Sequence, residues 1–483
     1  MSSKEQLVAA IDIGTTKIVA IVGRRDGRGG IEILGLCNTP STGVKRGVVL
    51  NIEETVKAIR TTDDDLGERT GMGLTDVFVG IAGRHIKSKM ARGYITRDSS
   101  DREIDYSDIR RLTADMYKLP IEVGEEIIHV IPQTYIVDNE SGISNPVGMC
   151  GRRLEANFHI VIGQISSAKN IERCINKAEM NLVSLVLEPL ASSEAVLTDE
   201  EKEAGVVLVD IGGGTTDVAI YYDSVIRHTA VIPFGGNMVT SDIREGCSIL
   251  QKHAEDLKIK FGYAIGDIAP ENKVVSIPGI AGREPKEISF KNLAYIIQSR
   301  MEEILDAVNF EIQNSGFADK LTAGVVITGG GAMLKNLPQL VKYKTAMDVR
   351  IGLPNVHLSG KARDEINQPM YATSVGLIMK GLEFLEENKT ELKIGEYKPE
   401  RVHQQGPVFR PELVPDKPVA VKVEAEKPAL EEEESVQAVD RPFSGGYSPV
   451  ARNIGDKLRG IWTKFIEATD EPLDDDSSNN SKQ

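Results

Sequence analysis

Residues 8–17 read Val8-Ala9-Ala10-Ile11-Asp12-Ile13-Gly14-Thr15-Thr16-Lys17, and residues 206–217 read Val206-Val207-Leu208-Val209-Asp210-Ile211-Gly212-Gly213-Gly214-Thr215-Thr216-Asp217. In each copy an apolar run typical of a buried strand ends in an Asp, a Gly-Thr turn follows, and a second apolar run begins. The sequence therefore predicts the same kind of β-hairpin, closed by a glycine turn, at two places in the chain.

The residue types in these turns suit the binding of a phosphorylated ligand. Glycine lets backbone N–H groups converge on an anion, threonine hydroxyls add donors, and an Asp carboxylate suits Mg²⁺, directly or through water. Two such turns facing each other would hold a polyphosphate from both sides. The alternative is that each is an ordinary tight turn, and the same order of residues in both copies favours the binding site.

Length and composition limit the class of protein. At 483 residues and 41% hydrophobic content the chain has room for two or three soluble domains. Its four cysteines form no CxxC pair and no His/Cys cluster, so we expect a reducing cytoplasm and neither a disulfide framework nor a zinc site. We find no signal-peptide pattern and no apolar run of about 18 residues, and therefore expect neither export nor a membrane span. The net charge of −15, without a basic stripe, disfavours nucleic acid as a partner.

Two further segments are candidates for the same site. The run Thr322–Thr328 predicts a buried strand that ends in Gly329, Gly330 and Gly331 and leads into a helix at Leu334; its alternative is a purely structural turn. Residues 242–260 predict a helix on which Glu255 and Lys258 share a face, and such a pair is commonly a solvated surface pair.

These segments, in this order, are similar to the actin-type ATPases, and residues 5–385 resemble the FtsA family, the bacterial actin homologues of cell division. The marks of the family, beside the first hairpin, are Val79-Gly80-Ile81-Ala82-Gly83-Arg84-His85-Ile86, Leu187-Glu188-Pro189-Leu190-Ala191, and Gly235-Gly236 followed by Thr240-Ser241-Asp242-Ile243. The resemblance implies an α/β fold of two duplicated actin-like (ribonuclease H-like) ATPase domains with a cleft between them. Residues 1–85 with 166–205 would form the first half, and residues 206–390 the second.

The resemblance also implies ATP and Mg²⁺ as cofactors and assigns roles to residues. Asp12 and Asp210 would orient the Mg²⁺ shell, and Glu188 would lie near the attacking water, with weak or incidental hydrolysis at most. The alternative for Glu188 is a charge that favours a helix N-terminus, since Pro189 suits a first helical turn. Glu255 and Lys258 would border the ribose. The other nucleotide-binding positions would be Gly14, Thr15, Thr16, Lys17, Gly212, Gly213, Gly214, Thr215, Thr216, Gly235 and Gly236, with Gly329, Gly330 and Gly331 under the adenine.

Two insertions are expected. Residues 86–165 have a helical pattern at 106–119 and several strand patterns, enough for a small α+β subdomain. In the FtsA family the corresponding insertion takes part in polymer contacts and in recruiting later division proteins. Residues of about 230–315 would form the second, smaller subdomain, which in the family helps to bind the tubulin-like partner FtsZ.

The composition changes after Lys393. Prolines recur without apolar periodicity and Glu431–Glu434 form an acidic run, so residues 394–448 are predicted to be a disordered linker. Residues 449–468 then predict an amphipathic helix, and residues 469–483 an acidic disordered tail. A membrane surface is the favoured ligand of that helix, and a protein groove is the alternative. Its predicted membrane-binding residues are Ile454, Lys457, Leu458, Arg459, Ile461, Trp462, Lys464, Phe465 and Ile466.

The hypothesis from sequence is an actin-like, ATP-binding cell division protein. It would polymerise with itself and anchor FtsZ filaments to the cytoplasmic face of the inner membrane at the division septum, as a peripheral protein. The rival hypothesis is a metabolic kinase of the same fold, but the extra length of this chain lies in an insertion, a linker and an amphipathic end. A chaperone would need a folded peptide-binding domain after residue 390, where the composition predicts a linker.

Overall fold

The computed structural model describes residues 6–27, 29–279, 283–359, 363–397 and 437–440. Its strands, in chain order, are Leu7–Ile13 (β1), Lys17–Arg25 (β2), Ile31–Pro40 (β3), Val44–Lys45 (β4), Val48–Val49 (β5), Met72–Leu74 (β6), Asp76–Ile81 (β7), Lys87–Thr96 (β8), Glu125–Val137 (β9), Glu140–Ile143 (β10), Arg153–Gln164 (β11), Asn181–Leu187 (β12), Val206–Ile211 (β13), Thr216–Tyr222 (β14), Val225–Ile232 (β15), Lys273–Ile277 (β16), Lys286–Ser289 (β17), Gly324–Thr328 (β18), Val349–Ile351 (β19), Leu358–Ser359 (β20), Ile394–Glu396 (β21) and Gln437–Asp440 (β22).

The α-helices are Ile52–Thr70 (α1), Tyr106–Met116 (α2), Ile165–Lys177 (α3), Glu188–Val196 (α4), Asp199–Ala204 (α5), Gly236–Cys247 (α6), Gln251–Phe261 (α7), Phe290–Asn314 (α8), Leu337–Thr345 (α9), Arg363–Ile366 (α10) and Ala372–Asn388 (α11). Short 3-10 turns occur at Gly266–Ile268, Ala318–Lys320, Gly330–Met333 and Pro369–Tyr371.

Two sheets repeat one topology. The first has the order β12-β7-β1-β2-β3-β20, and the second, written from its other edge, has the order β19-β18-β13-β14-β15. In both, an antiparallel hairpin (β1–β2, β13–β14) has a parallel strand (β7, β18) on its outer side. This confirms the duplicated actin-like α/β fold that the two hairpin patterns and the resemblance predicted.

The first sheet is buried on both faces. Residues Ala9 and Ile11 of β1 pack with side chains of α1 and α3, whereas Val8 and Ala10 pack with side chains of α11. Alternate residues of a strand point to opposite faces, so a strand covered on both sides needs a continuous apolar run. That is why β1 lacks the alternation of a half-exposed strand.

The insertion has its own core. Strands β8 to β11 form a four-stranded antiparallel sheet in the order β10-β9-β11-β8, and α2 packs against it. The core contains Leu112 and Met116 from α2 and Leu154, Phe158 and Ile160 from β11. A separate core of this kind is what the small α+β subdomain predicted at 86–165 requires.

The chain divides into two compact units. The second unit comprises Asn237–Ala307, Leu334–Ala346 and the described strand β22, and the first comprises the sheets above. Within the second unit, Arg300 of α8 donates to both carboxylate oxygens of Asp242 on α6, at 2.6 and 3.0 Å. The helix predicted at 242–260 is wrong as one element: α6 ends at Cys247 and α7 begins at Gln251, because Ser248 adopts a left-handed backbone conformation (φ 50°).

The linker prediction for 394–448 needs a correction at two places. Strand β21 pairs with β6, the Tyr397 N–H donates to the Gly71 carbonyl at 3.0 Å, and β22 pairs with β16. Such short strands depend on main-chain pairing with distant elements, which local composition does not reveal. The predicted amphipathic helix 449–468, with its nine membrane-binding residues, and the acidic tail lie outside the described residues. Among the described residues no helix is both long and apolar enough to cross a membrane.

Candidate functional site

The two glycine turns have the same length. In the first hairpin Ile13 pairs with Ile18, leaving residues 14–17 as the turn; in the second Ile211 pairs with Thr216, leaving residues 212–215. Lys17 and Thr215 are therefore the last residues of the two turns. The Thr-Thr pairs of the two sequences do not occupy equivalent positions, because the second copy is shifted by its additional glycines.

The two turns lie against each other within the first unit. A Cβ atom on Gly214 would lie 2.3 Å from Oγ1 of Thr15, so this close approach requires glycine. Oγ1 of Thr15 also accepts a hydrogen bond from the Gly47 N–H at 3.0 Å. Two turns that the sequence places far apart thus form one surface with converging backbone groups.

Four carboxylates lie beside the turns: Asp12, Asp210 and Asp217 are buried, and Glu188 is half-buried. Burial raises the pKa of Asp12 and Asp210, with Lys17 acting in the opposite direction. Burial and the neighbouring aspartates raise the pKa of Glu188 and Asp217 well above the usual range. Four acidic side chains this close together could hold a cation, because its positive charge would favour their ionised forms.

Hydroxyl groups hold two of these carboxylates. Oδ2 of Asp210 accepts from Ser192 Oγ at 2.6 Å and from Thr373 Oγ1 at 3.1 Å. Oδ2 of Asp12 accepts from Ser374 Oγ at 3.1 Å. Asp217 differs, since Thr215 Oγ1 donates to its Oδ2 at 3.3 Å while its buried Oδ1 has no hydrogen-bond partner. An unpaired buried carboxylate oxygen is unfavourable, so Oδ1 of Asp217 is an acceptor that a water molecule or a cation could satisfy.

Lys17 supplies the positive charge of the site. Its Nζ donates to the Met370 carbonyl at 2.6 Å and lies 4.3 Å from the centre of the Tyr371 ring. Burial lowers the pKa of Lys17 to about 8, although Asp12 and Asp210 act to raise it. The ammonium is therefore charged at neutral pH and ready to bind an anion.

Glu188 is the first residue of α4, followed by Pro189. A Cβ on Gly80 would lie 3.0 Å from Cγ of Glu188, so the glycine of β7 leaves room for this side chain. The raised pKa means that the carboxyl binds a proton more readily than usual in the metal-free protein. The charges of Asp12, Asp217 and Asp210 contribute to this shift, so the side chain lies near the aspartates of the turns. Its catalytic role stays a prediction, as does the alternative of a helix N-terminal charge.

The other predicted glycines surround the second turn. Gly329 has φ +82° and its Cβ would lie 2.3 Å from Oδ1 of Asp210. Gly331 packs against Ile211, and Gly330 is open to solvent. Gly236 N–H donates to the Gly212 carbonyl at 2.9 Å. The helix predicted to open at Leu334 begins later: Gly330 and Gly331 are part of the 3-10 turn Gly330–Met333, and α9 begins at Leu337.

Two other predicted site residues belong to the second unit. Glu255 and Lys258 lie on α7 of the second unit, where Lys258 Nζ donates to Glu255 at 2.8 Å and to Thr240 Oγ1 at 2.9 Å. Thr240 in turn donates to Glu255. This is the i, i+3 pair that the sequence indicated, and its place beside a ribose remains a prediction.

Sequence reasoning missed four polar residues of the site: Asp217, Ser192, Thr373 and Ser374. Asp217 closes the second quoted sequence, and the spacing between Asp210 and its cross-strand partner was the signal that could have found it. The three hydroxyl residues lie on α4 and α11, and nothing in their local sequence marks them. Among the described residues there is no group of three or more His, Cys, Asp or Glu side chains placed to hold a metal directly.

Comparison with solved structures defines the class. The chain has the actin-like ATPase fold: it matches the PilM-PilN type IV pilus biogenesis complex with a TM-score of 0.56 at 12% identity, over 78% of this chain and 98% of the other. It matches MreB5 of Spiroplasma citri, solved bound to ADP, with a TM-score of 0.50 at 15% identity, over 80% and 99%.

Comparison of sequences gives the family. The family model of cell division protein FtsA matches residues 207–376, and the model of the SHS2 domain inserted in FtsA matches residues 83–162. Cell division protein FtsA of Pseudomonas aeruginosa is 38% identical over 378 residues, which is 78% of this chain and 90% of that protein. The chain belongs to the FtsA family of cell division proteins.

Proposed function

We propose that the protein binds Mg·ATP between its two glycine turns and works as a polymerising membrane anchor for FtsZ filaments. The observation that carries the nucleotide part is the contact of Thr15 with Gly214, beside three buried aspartates, the half-buried Glu188 and one lysine. Such a site combines backbone donors for phosphates with acidic groups for a cation.

The residues fit the proposed ligand. The unpaired Oδ1 of Asp217 is a buried acceptor that a hydrated Mg²⁺ would satisfy. The close approach at Gly214 brings the two glycine turns together, so their backbone N–H groups could bind one phosphate chain. Asp12 and Asp210 would hold the Mg²⁺ shell, and Asp217 would add a third acidic group. The metal would neutralise phosphate charge.

The chain's own residues would do the remaining work. Lys17, charged at neutral pH, would bind phosphate oxygens, and N–H groups of the turns Gly14–Lys17 and Gly212–Thr215 would fix their position. Glu188 would accept a hydrogen bond from the attacking water once a bound cation has favoured its ionised form. Hydrolysis would remain slow if Glu188 serves mainly as a helix N-terminal charge.

Calorimetry with Asp210→Asn tests the nucleotide part. We expect Mg·ATP affinity to fall at least ten-fold, with binding of metal-free ATP changed little, because the variant removes a charge facing the cation. Glu188→Gln should bind ATP normally and lower any turnover. Equal Mg·ATP affinity for Asp210→Asn and the parent would contradict the metal assignment, and unchanged turnover in Glu188→Gln would favour the helix-terminus role.

The anchoring part is supported by membership of a cell-division family and by the amphipathic pattern at 449–468. Six apolar side chains on one helical face would be only partly buried in a membrane surface, so one copy should bind weakly. A polymer would present many copies and gain avidity. FtsZ, self-association and later division proteins are the partners proposed, and the inner face of the cytoplasmic membrane at the septum is the proposed location.

Co-sedimentation with vesicles of anionic lipid tests the anchor. We expect truncation after Tyr447, or Trp462→Glu, to abolish vesicle binding while FtsZ binding and ATP binding persist. Trp462→Phe is the matched control and should retain most of the binding. Parent binding should rise steeply with protein concentration; tight binding by dilute monomer would contradict avidity, and vesicle binding after truncation would contradict the anchor.

A further inference from the structure

The first turn of α11 contacts both hairpins. Thr373 Oγ1 donates to Oδ2 of Asp210, and the next residue, Ser374, donates through Oγ to Oδ2 of Asp12, both at 3.1 Å. Consecutive helical residues point about 100° apart. A single helix start can therefore contact two carboxylates that belong to opposite halves of the fold.

The segment before this turn is fixed to the same site. The Gly329 N–H and Thr328 Oγ1 both donate to the Pro369 carbonyl, at 3.2 Å. Lys17 donates to the next carbonyl, that of Met370. The start of α11 is thus held by groups from both halves, and its position defines where the two hydroxyls lie.

The two hydroxyls do not have an ordinary helical role. Tyr371 is the N-cap of α11 and makes no side-chain capping bond, and Ser374 is fully buried. Serine and threonine inside helices commonly donate to a carbonyl four residues earlier, but here both bond to carboxylates. Their hydrogen bonds therefore serve Asp12 and Asp210 rather than the helix.

We propose that Thr373 and Ser374 are positioning residues that hold Oδ2 of Asp210 and Asp12 and leave Oδ1 of each carboxylate for the Mg²⁺ shell. This rests on the proposed binding of Mg·ATP. One helix start would then set the relative orientation of the two duplicated aspartates. The two contributions are unequal, because Asp210 keeps a second hydroxyl donor in Ser192 whereas Ser374 is the hydroxyl donor of Asp12.

The test measures the affinity of the full chain for ATP under two conditions, in the presence of Mg²⁺ and in the presence of EDTA. Loss of a hydrogen bond to a charged group corresponds to about ten-fold or more in affinity, so Ser374→Ala should weaken Mg·ATP binding by about that factor. Thr373→Val should weaken it by about two- to three-fold, because Ser192 remains, and Thr373→Ser should restore it. Binding of ATP in EDTA should change less than about two-fold in all three.

Ser193→Ala is the matched control. Ser193 is a buried serine on α4 whose hydroxyl bonds the Leu190 carbonyl at 2.8 Å and Tyr221 at 2.6 Å, away from the aspartates. The Ser193→Ala variant should have a lower Tm, and the ratio of its ATP affinity in Mg²⁺ to that in EDTA should equal the ratio of the parent. If Ser374→Ala also lowers only Tm, or weakens both affinities equally, the positioning role is overturned.

The outcomes separate this inference from the proposed function. If the parent binds ATP no better with Mg²⁺ than with EDTA, the Mg·ATP proposal itself fails. If the parent shows Mg²⁺ dependence and Ser374→Ala shows the same dependence, only the positioning role fails. Should Ser374→Ala not fold, the pair Thr373→Val and Thr373→Ser decides, because restoration by serine requires the hydroxyl.

Discussion

The two glycine hairpins share one backbone frame and differ in charge. Both have a turn of four residues, and their aspartates pair across the hairpin with Val19 in the first copy and Asp217 in the second. At the last turn position the first copy has Lys17 and the second Thr215. The first hairpin therefore contributes one lysine ammonium group and one carboxylate, and the second contributes two carboxylates. The duplicated backbone is retained while the side chains give each half a different task.

This difference divides the electrostatics of the site between the halves. Lys17 acts to lower the pKa of Asp12 and Asp210, whereas burial, and after it the charge of Asp210, raises the pKa of Asp217. A substitution in one hairpin should therefore change ligand affinity or stability in a way that a substitution at the equivalent position of the other hairpin does not. The predictions below use such changes, in order of decreasing effect.

The largest effect is expected at Gly329, where an added Cβ would meet Asp210 and Ile211 of the second hairpin. Gly329→Ala would place a methyl group 2.3 Å from Oδ1 of Asp210 and 2.6 Å from the Ile211 carbonyl, at φ +82°. Backbone strain and overpacking should together lower the free energy of unfolding by about 3 kcal/mol, and nucleotide binding should be lost.

Its control is the neighbouring Gly330→Ala. No atom lies within 4 Å of the added Cβ and the backbone has no positive φ, so we expect a change below about 0.5 kcal/mol. Urea unfolding and ATP calorimetry measure both variants. Equal effects of the two substitutions would mean that the second hairpin does not depend on this close approach.

Lys17→Met removes the cation of the first hairpin. ATP affinity at pH 7 should fall by about ten- to one-hundred-fold, as for loss of a charged hydrogen bond. Because the pKa of Lys17 is about 8 in the free protein, parent affinity should decline as the pH rises through that value. Lys17→Met should lack this decline.

The exposed Lys57 on α1 provides the control for charge removal. Lys57→Met should keep both the affinity and its pH dependence, since this side chain lies on the solvent side of the helix. Calorimetry from pH 7 to pH 9 makes the comparison. A parent affinity that stays constant over this range would exclude Lys17 as the phosphate-binding cation.

Asp217→Asn removes the second carboxylate of the second hairpin. A folded-state pKa above the unfolded value of 3.8 means that the folded protein holds this proton more tightly. Protonated Asp217 therefore stabilises the folded protein relative to the unfolded chain. This contribution is fully present below pH 3.8 and is lost as the pH rises through the pKa of the folded state. Without metal, the variant should therefore be more stable than the parent at pH 7, and it should lose less stability between pH 4 and pH 7.

The same variant should bind Mg·ATP more weakly, so stability and binding should move in opposite directions. Asp98→Asn, at an exposed position, is the control and should change neither. Urea unfolding at several pH values and calorimetry measure the two quantities. A less stable Asp217→Asn at pH 7 would mean that the buried carboxylate is favourable without a ligand.

The sequence predicted the parts of the molecule that depend on local pattern. The apolar runs around Asp12 and Asp210 gave both hairpins, because a strand buried on two faces must be apolar throughout. Local pattern did not give the break at Ser248, where a non-glycine residue takes a left-handed conformation against its preference. Strands β21 and β22 were missed because each is held only by a distant partner.

In the candidate site, too, local pattern predicted some residues and missed those whose role depends on distant contacts. Asp12, Lys17 and Asp210 could be recognised from residue type and spacing, but matching the Thr-Thr pairs concealed that Asp217 pairs with Asp210. Thr373 and Ser374 could not be found locally, since their role arises only where α11 meets both hairpins. A duplicated motif is therefore better aligned by hairpin register than by identical residues.

The smallest difference between the two hairpins is expected at the first turn position, where they are most alike. A Cβ on Gly14 would lie 2.9 Å from the Lys17 carbonyl, and a Cβ on Gly212 would lie 3.2 Å from the Thr215 carbonyl. Neither glycine has a positive φ, so steric contact alone should distinguish them. Gly14→Ala should cost about 1–2 kcal/mol in free energy of unfolding, and Gly212→Ala less than about 1 kcal/mol, because the second carbonyl has to move less. Urea unfolding without nucleotide measures both variants side by side. An equal or larger cost at Gly212 would show that the two turns, despite their common register, differ in how freely their backbones relax.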